Sequence, residues 1–195
     1  MDMTQDFRVL LLPGWENSGP DHWQSRWETR HGFQRVEQDD WLWPKRGDWM
    51  ARLEEVLLQS DQPAVLVAHS LGCQLVAAWA AHSRHTQRVA GALLVAPPDV
   101  ERDDMPPNLY SWRPIVRQPL PFPALVVYSE DDPFCQLRAV RTMVNDWDAQ
   151  SISVGEAGHI NGASGLGEWP DGMSLLRGLM ATARPAGADP ARASA

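Results

Sequence analysis

Short apolar runs alternate along the chain with longer stretches that mix apolar and polar residues. Six runs predict strands, over residues 8–12, 33–36, 64–68, 89–95, 124–128 and 151–154. The run AVLVA at 64–68 has no polar position at all. Strands of this kind are typical of a parallel sheet whose two faces are both covered.

The stretches between the runs have the spacing of amphipathic helices. Trp23 and Trp27 lie four residues apart, on one face of a predicted helix at 21–30. Asp48 is expected to cap a second helix, which would bury Trp49 and Leu53. Further helices are predicted over residues 71–82, 137–147 and 172–180. This alternation predicts an α/β fold, a mainly parallel sheet with helices on both faces.

The 195 residues fit a single domain, which we place at residues 7–181. No linker divides the chain, and the longest connection is a proline-rich loop at 97–123. The last stretch, 182–195, is poor in bulky apolar residues and rich in Ala, Pro and Gly. We expect it to be a disordered tail.

Charge and composition exclude several partners and cofactors. The net charge is -8 and the basic residues are scattered, so neither nucleic acid nor an acidic membrane surface is expected to bind. No apolar run approaches the ~20 residues of a membrane span, and the first residues lack a secretory h-region. The sequence has no HExxH and no CxxC spacing, so we expect neither a metal nor a cofactor.

Two cysteines, Cys73 and Cys135, are too few for a disulfide framework and are expected to be small buried hydrophobes. Reduced thiols suggest a cytoplasmic protein. The sequence identifies no protein partner.

The segment Ala-His-Ser-Leu-Gly at 68–72 lies between a predicted strand and a predicted helix. Ser70 at such a turn would be a nucleophile elbow, with small residues two positions before and after it. The usual first glycine is replaced by Ala68, which keeps the requirement for a small residue. The Leu71 N–H, at the helix start, would point toward an oxyanion. The alternative is a serine that only caps the helix, beside an ordinary His69.

A serine nucleophile needs a base and an acid, which in an α/β-hydrolase follow in the order Ser, acid, His. His159, beside Gly158, follows the last predicted strand and is the candidate base. Asp132 is the favoured acid because Pro133 biases it toward an extended backbone. Asp131 is the second candidate acid.

Other acids and histidines are weaker candidates. Glu130 is expected to be a solvated acid in the same turn, and His69 is expected to point away from the nucleophile. His22 and His31 flank the first helix and are expected to be structural or partly exposed.

The loop after the first strand, PGWENSG at 13–19, is the candidate oxyanion loop. The backbone N–H of Trp15 would be the second oxyanion donor, and Gly14 would let the loop approach the reacting carbonyl. A plain strand-ending Pro-Gly turn is the alternative. Trp15 and Asn17 are the candidate pocket residues. The chain has 10 tryptophans, and the others are expected to pack in the core.

The chain resembles the small YdeN-like, retinoblastoma-binding-protein-9-type serine hydrolases over nearly its whole length. The resemblance rests on PGWENSGPDHWQSRWE at 13–28, DDWLWP at 39–44, AHSLGC at 68–73, SEDDPF at 129–134 and GHINGASGLGEWPDG at 158–172. It implies a compact α/β-hydrolase core with strand order 2-1-3-4-5-6 and no large lid. It also implies that Ser70, Asp132 and His159 form a catalytic triad.

By this resemblance we expect a serine hydrolase that cleaves small ester or amide substrates through an acyl-enzyme. The alternative is a hydrolase-fold interaction module with little turnover. In that case the 97–123 loop, with Tyr110 and Trp112, would be the partner surface.

Overall fold

A six-stranded sheet with the order β2-β1-β3-β4-β5-β6 forms the centre of the fold. The computed structural model describes residues 6–183. The strands are β1 Arg8–Leu12, β2 Gln34–Arg35, β3 Ala64–His69, β4 Val89–Val95, β5 Ala124–Tyr128 and β6 Gln150–Ser153. All five neighbouring pairs are parallel, which confirms the predicted sheet and its strand order.

Within residues 6–183, five α-helices cover the sheet. They are α1 Trp23–His31, α2 Arg46–Leu58, α3 Leu71–His82, α4 Leu137–Asp146 and α5 Pro170–Thr182. The predicted cap at Asp48 is wrong, since α2 starts earlier and Lys45 is its N-cap residue. Asp48 instead lies in the first turn, where a carboxylate also suits the helix dipole. Helix α5 continues through Thr182, one residue beyond the predicted domain end, and residues 184–195 lie outside the described residues.

The core has two halves, one on each face of the sheet. Every residue of β3 and β4 is buried, because helices and loops cover both of their faces. Leu66 and Leu94 belong to the half formed with α2, α3 and α4. Val67 and Leu93 belong to the half formed with α1 and α5. The layers are therefore helix, sheet, helix.

Tryptophans fill much of this core. Six are among the largest fully buried side chains: Trp23, Trp27, Trp49, Trp79, Trp112 and Trp147. Each donates its indole N–H to an acceptor on another segment. In the same order, the acceptors are the carbonyls of Ile160, Glu168 and Asp40, the Glu54 carboxylate, and the carbonyls of Pro44 and Val116. Buried indole nitrogens need such partners. The tryptophans therefore tie loops to the helical layers as well as filling space.

The core expectation is wrong for Trp43, and Trp112 does not belong to the partner surface that the interaction-module alternative requires. Trp112 is only 1% exposed and donates to the Pro44 carbonyl at 2.8 Å, so it is not available to a partner. It belongs to a short 3-10 helix, Pro107–Trp112, within the 97–123 loop, and this segment packs on the core. Trp43 was expected in the core but is 64% exposed.

Gly172 in helix α5 supports the tryptophan packing. A Cβ atom at this position would lie 2.2 Å from the Trp169 ring, so only glycine fits beneath the indole. Trp169 in turn packs against Trp23 and Trp27.

We expect Gly172→Ala to destabilise the protein by about 1–3 kcal/mol, the usual cost of overpacking a core. Gly178→Ala is the matched control on the same helix, since a Cβ there meets nothing within 4 Å. That change should stabilise the fold by about 0.5–1 kcal/mol because alanine favours a helix interior. Urea unfolding of both variants measures the difference. Equal stability of the two would contradict this packing account.

Candidate active site

Ser70 lies on a sharp turn between β3 and α3. Its backbone has φ 54° and ψ -124°, a conformation that a non-glycine residue holds only when its surroundings enforce it. The Ser70 N–H donates to the Val95 carbonyl at 2.9 Å. A Cβ on Gly72 would lie 2.3 Å from the Leu12 carbonyl oxygen, so the helix can approach β1 only with glycine there. The Ser70 side chain makes no capping hydrogen bond, which argues against a purely capping role.

A chain of hydrogen bonds joins three residues from three strand ends. His159 Nε2 lies 2.8 Å from Ser70 Oγ. His159 Nδ1 lies 2.9 and 3.0 Å from the two carboxylate oxygens of Asp132. The His159 and Asp132 side chains are 9% and 3% exposed. The arrangement can take a proton from the serine and hold the imidazole in one tautomer, because the carboxylate can only accept a hydrogen bond from Nδ1.

The three acids after β5 have separate partners. Asp132, whose Oδ1 also accepts from the Phe134 N–H at 2.9 Å, is the one that faces His159. Asp131 Oδ1 accepts from Ser129 Oγ at 2.6 Å and from the Gly158 N–H at 2.8 Å. These two bonds lower the pKa of the Asp131 carboxyl. Asp131 therefore holds the loop that carries His159.

Glu130 was expected to be a solvated acid of this turn. The residue is exposed, but its Oε1 accepts from Ser153 Oγ at 2.8 Å. It therefore links the turn to β6.

The loop that carries His159 is fixed by contacts on both sides. Gly158 and Ile160 both have positive φ, 58° and 47°, so the chain turns sharply around the imidazole. The Ile160 carbonyl accepts from the Trp23 indole at 2.8 Å. His69 Nε2 lies 2.9 Å from the His159 carbonyl oxygen. Since a carbonyl only accepts, His69 carries its hydrogen on Nε2.

His69 and His22 are site residues that the sequence did not reveal. His69 was expected to point away from the nucleophile, but its ring lies 5.0 Å from the His159 ring and lines the same cavity. His22 caps α1 through Nδ1, which accepts from the Gln24 N–H at 3.1 Å, and also lines the cavity. Burial, helped by Arg35 and His159, lowers the pKa of His22 to about 3.

The loop after β1 packs directly on the nucleophile. A Cβ on Gly14 would lie 2.7 Å from Ser70 Cβ and 3.1 Å from Ser70 Oγ, so a side chain there would obstruct the serine. Trp15 lines the cavity, and its indole donates to the Leu42 carbonyl at 3.1 Å. Leu71 is the first residue of α3, where backbone N–H groups have no acceptor within the helix.

Ser70 opens into a cavity of about 430 Å³. Its apolar wall comes from the 97–123 loop and the acid turn, through Pro98, Met105, Leu109 and Phe134. Residues 16–17, 19–22 and 161–163 form a more polar wall. No lysine or arginine is among the described residues that line it.

Burial raises the pKa of the Cys73 thiol, and burial with Asp132 and Asp99 nearby raises that of Cys135 to about 12. Both thiols are free and stay protonated near neutral pH.

Within residues 6–183, no group of three or more His, Cys, Asp or Glu side chains is arranged to hold a metal ion. No helix in that range is both long and apolar enough to cross a membrane.

The sheet order and the turn at Ser70 define the α/β-hydrolase fold. The chain belongs to the serine hydrolase family, which it matches over residues 9–178. No curated protein matches it.

Solved structures support the same fold. A YdeN-like hydrolase from Pectobacterium atrosepticum is 29% identical, with a TM-score of 0.82 over 92% of this chain and 94% of that one. The ydeN gene product of Bacillus subtilis is 20% identical, with a TM-score of 0.70 over 90% of this chain and all of that one. The esterase RhEst1 from Rhodococcus is 15% identical, with a TM-score of 0.67 over 93% and 92% of the two chains. The chain is thus a member of the serine hydrolase family, and its fold is similar to that of the YdeN-like hydrolases.

We expect the fold to lose stability as the pH falls below about 6.5. His22 has a pKa of about 3 in the folded protein, so the unfolded chain binds a proton that the folded chain does not. His69 acts in the same direction because burial lowers its pKa as well. His22 should lower the free energy of unfolding by about 1.4 kcal/mol per pH unit between pH 6 and pH 4, and His69 should steepen this fall. Urea unfolding at several pH values measures this slope.

His22→Asn is the informative variant for this slope. Asparagine can still cap α1, but it does not titrate. The variant should therefore show a shallower fall in stability on acidification. An unchanged slope of unfolding free energy against pH would mean that His22 is not buried in its neutral form.

Proposed function

We propose that the protein cleaves small uncharged ester or amide substrates through Ser70, His159 and Asp132. The unbroken hydrogen-bond chain from hydroxyl to imidazole to carboxylate is the observation that carries the proposal. Ser70 Oγ attacks the acyl carbon, and its proton passes to His159 Nε2. Asp132 holds the Nδ1–H and stabilises the imidazolium that forms.

The negative charge that develops on the acyl oxygen needs hydrogen-bond donors. The Trp15 and Leu71 backbone N–H groups are the proposed pair, because both residues line the cavity beside Ser70. The imidazolium then protonates the leaving alcohol or amine, which leaves an ester on Ser70. Water, deprotonated by His159, cleaves that ester and restores the serine hydroxyl. No step needs a cofactor.

The cavity favours small substrates without negative charge. Its size lies at the lower end of the ~300–1,000 Å³ usual for small-molecule pockets. Glu16 and Asp21 line it and no described lysine or arginine does, so nothing there would neutralise an anionic substrate. Trp15 and Asn17 line the same cavity as Ser70 and are the proposed pocket residues. Two free thiols also fit our proposal of a cytoplasmic enzyme.

A pure interaction module is less well supported. The 97–123 loop directs Leu109, Trp112 and Ile115 into the core, and Leu109 also lines the cavity. Tyr110, which is 48% exposed, is the exposed large hydrophobic residue of that loop.

Replacing Ser70 by alanine should abolish covalent labelling by a fluorophosphonate probe and turnover of a short-chain aryl ester. The variant lacks the only atom proposed to bond to either reagent. Ser174→Ala, on the exposed face of α5, is the control and should behave like the wild type. Mass spectrometry of the labelled protein locates the modified residue. Labelling at another serine would refute the assignment.

The neighbouring aspartates give a matched pair of variants. Asp132→Asn should lower kcat by about 10⁴-fold with little loss of stability, because an amide cannot enforce the imidazole tautomer that the reaction requires. Asp131→Asn keeps an acceptor oxygen for Ser129 and Gly158 and should stay within about tenfold of wild type. Steady-state kinetics of both variants tests the assignment. The reverse order of effects would assign the acid role to Asp131.

A further inference from the structure

The loop between β1 and α1 holds an unfavourable backbone conformation close to Ser70. Glu16 and Asn17 are consecutive residues with φ 66° each. Left-handed backbone is unfavourable for a residue with a side chain, although less so for asparagine. Such strain persists only where surrounding groups enforce the conformation. Groups around Glu16 and Asn17 must therefore hold the loop in this conformation.

Arg35, in edge strand β2, is the main clamp. Its side chain is only 7% exposed. Nη1 donates to Asn17 Oδ1 at 2.5 Å and to the Ser18 carbonyl at 3.0 Å. Nη2 donates to Ser25 Oγ at 2.8 Å and to Glu28 Oε2 at 2.7 Å, and Nε donates to the same Glu28 oxygen at 3.0 Å. The five bonds join the loop, α1 and the sheet edge through one rigid planar group.

The clamp reaches the nucleophile in two steps. Asn17 Oδ1 accepts from the Ser18 N–H at 2.7 Å as well as from Arg35, which fixes the side chain against its own backbone. The Asn17 N–H donates to the Gly14 carbonyl at 3.1 Å. Gly14 in turn packs against Ser70. Trp15 lies inside this turn, between Gly14 and Asn17.

We propose that Arg35 is a positioning residue that holds the Trp15 N–H where the oxyanion forms. The inference rests on the proposed function, since it gives Arg35 a role only if Ser70 performs acyl transfer. Arg35 is not among the residues that line the cavity, so it acts through Asn17 and the loop. The Glu28 carboxylate balances the positive charge of Arg35, so Arg35 acts by positioning the loop and not by its charge.

This role predicts a particular kinetic signature. A donor aimed at the oxyanion acts in the transition state and not on the bound substrate, so its displacement lowers kcat and leaves KM nearly unchanged. Misplacement by about 1 Å can cost on the order of 100-fold in rate. A loss of general stability alone would lower the melting temperature without this split between kcat and KM.

The test compares Arg35→Met with Arg117→Met. Arg117 also pairs with two carboxylates, those of Glu101 and Asp146, but it lies outside the cavity and the β1–α1 loop. Arg35→Met should lower kcat for an aryl ester by about 10–100-fold, with KM within about twofold. Binding of a trifluoromethyl ketone, whose serine adduct carries the oxyanion, should weaken by the same factor as kcat/KM. Arg117→Met should match the wild type in all three measurements.

Asn17→Gly provides a second route to the same contact. Glycine keeps the left-handed backbone, but the Oδ1 acceptor is lost. Asn17→Gly should reproduce the fall in kcat. If Arg35→Met does not fold, Asn17→Gly alone tests whether this contact positions the Trp15 N–H. If Arg35 and Asn17 act through one contact, the double variant should have a kcat only slightly lower than that of either single variant.

Three results would overturn the proposal: a folded Arg35→Met with kcat within twofold of wild type, ketone binding that does not weaken, or multiplicative losses in the double variant. A wild-type protein that neither turns over esters nor reacts with fluorophosphonate would instead contradict the proposed function.

Discussion

The close approach of backbone segments around Ser70 is the constraint on which the rest of the site depends. Glycine at position 72 lets α3 begin against the Leu12 carbonyl, and glycine at position 14 lets the β1 loop pass over the serine. A Cβ at position 72 would meet the Leu12 backbone, and a Cβ at position 14 would meet the Ser70 side chain. The strained Ser70 conformation follows from this packing, and it leaves the hydroxyl free to meet His159. A site built on such contacts is rigid because neither segment can shift without a clash.

The loops that carry the other groups have their own supports. The Trp23 indole holds the Ile160 carbonyl next to His159, and Asp131 holds the Gly158 N–H on its other side. These contacts connect the histidine loop to α1 and to the end of β5. The richness in tryptophan thus has a structural reason, since one side chain both fills the core and donates a hydrogen bond to a loop.

Local pattern predicted most of the fold. The strands β1, β4 and β5 have the bounds that their apolar runs predict, because strands that are largely buried in a parallel sheet consist of continuous apolar residues. Helix starts were harder, as Asp48 illustrates: a carboxylate is favourable both as a cap and within the first turn. The alternative hypothesis placed Trp112 on a partner surface because composition alone does not say whether a proline-rich loop packs on the core.

The sequence by itself determined the order of the strands along the chain and the chemical groups placed at their carboxyl ends, because both follow from short-range apolar patterns and turn residues. It could rank Asp132 above Asp131, but only the tertiary structure decided which carboxylate faces the imidazole and which one holds its loop. The same is true of His69, His22 and Arg35. Their partners lie on other elements, and a side chain's direction depends on how those elements pack.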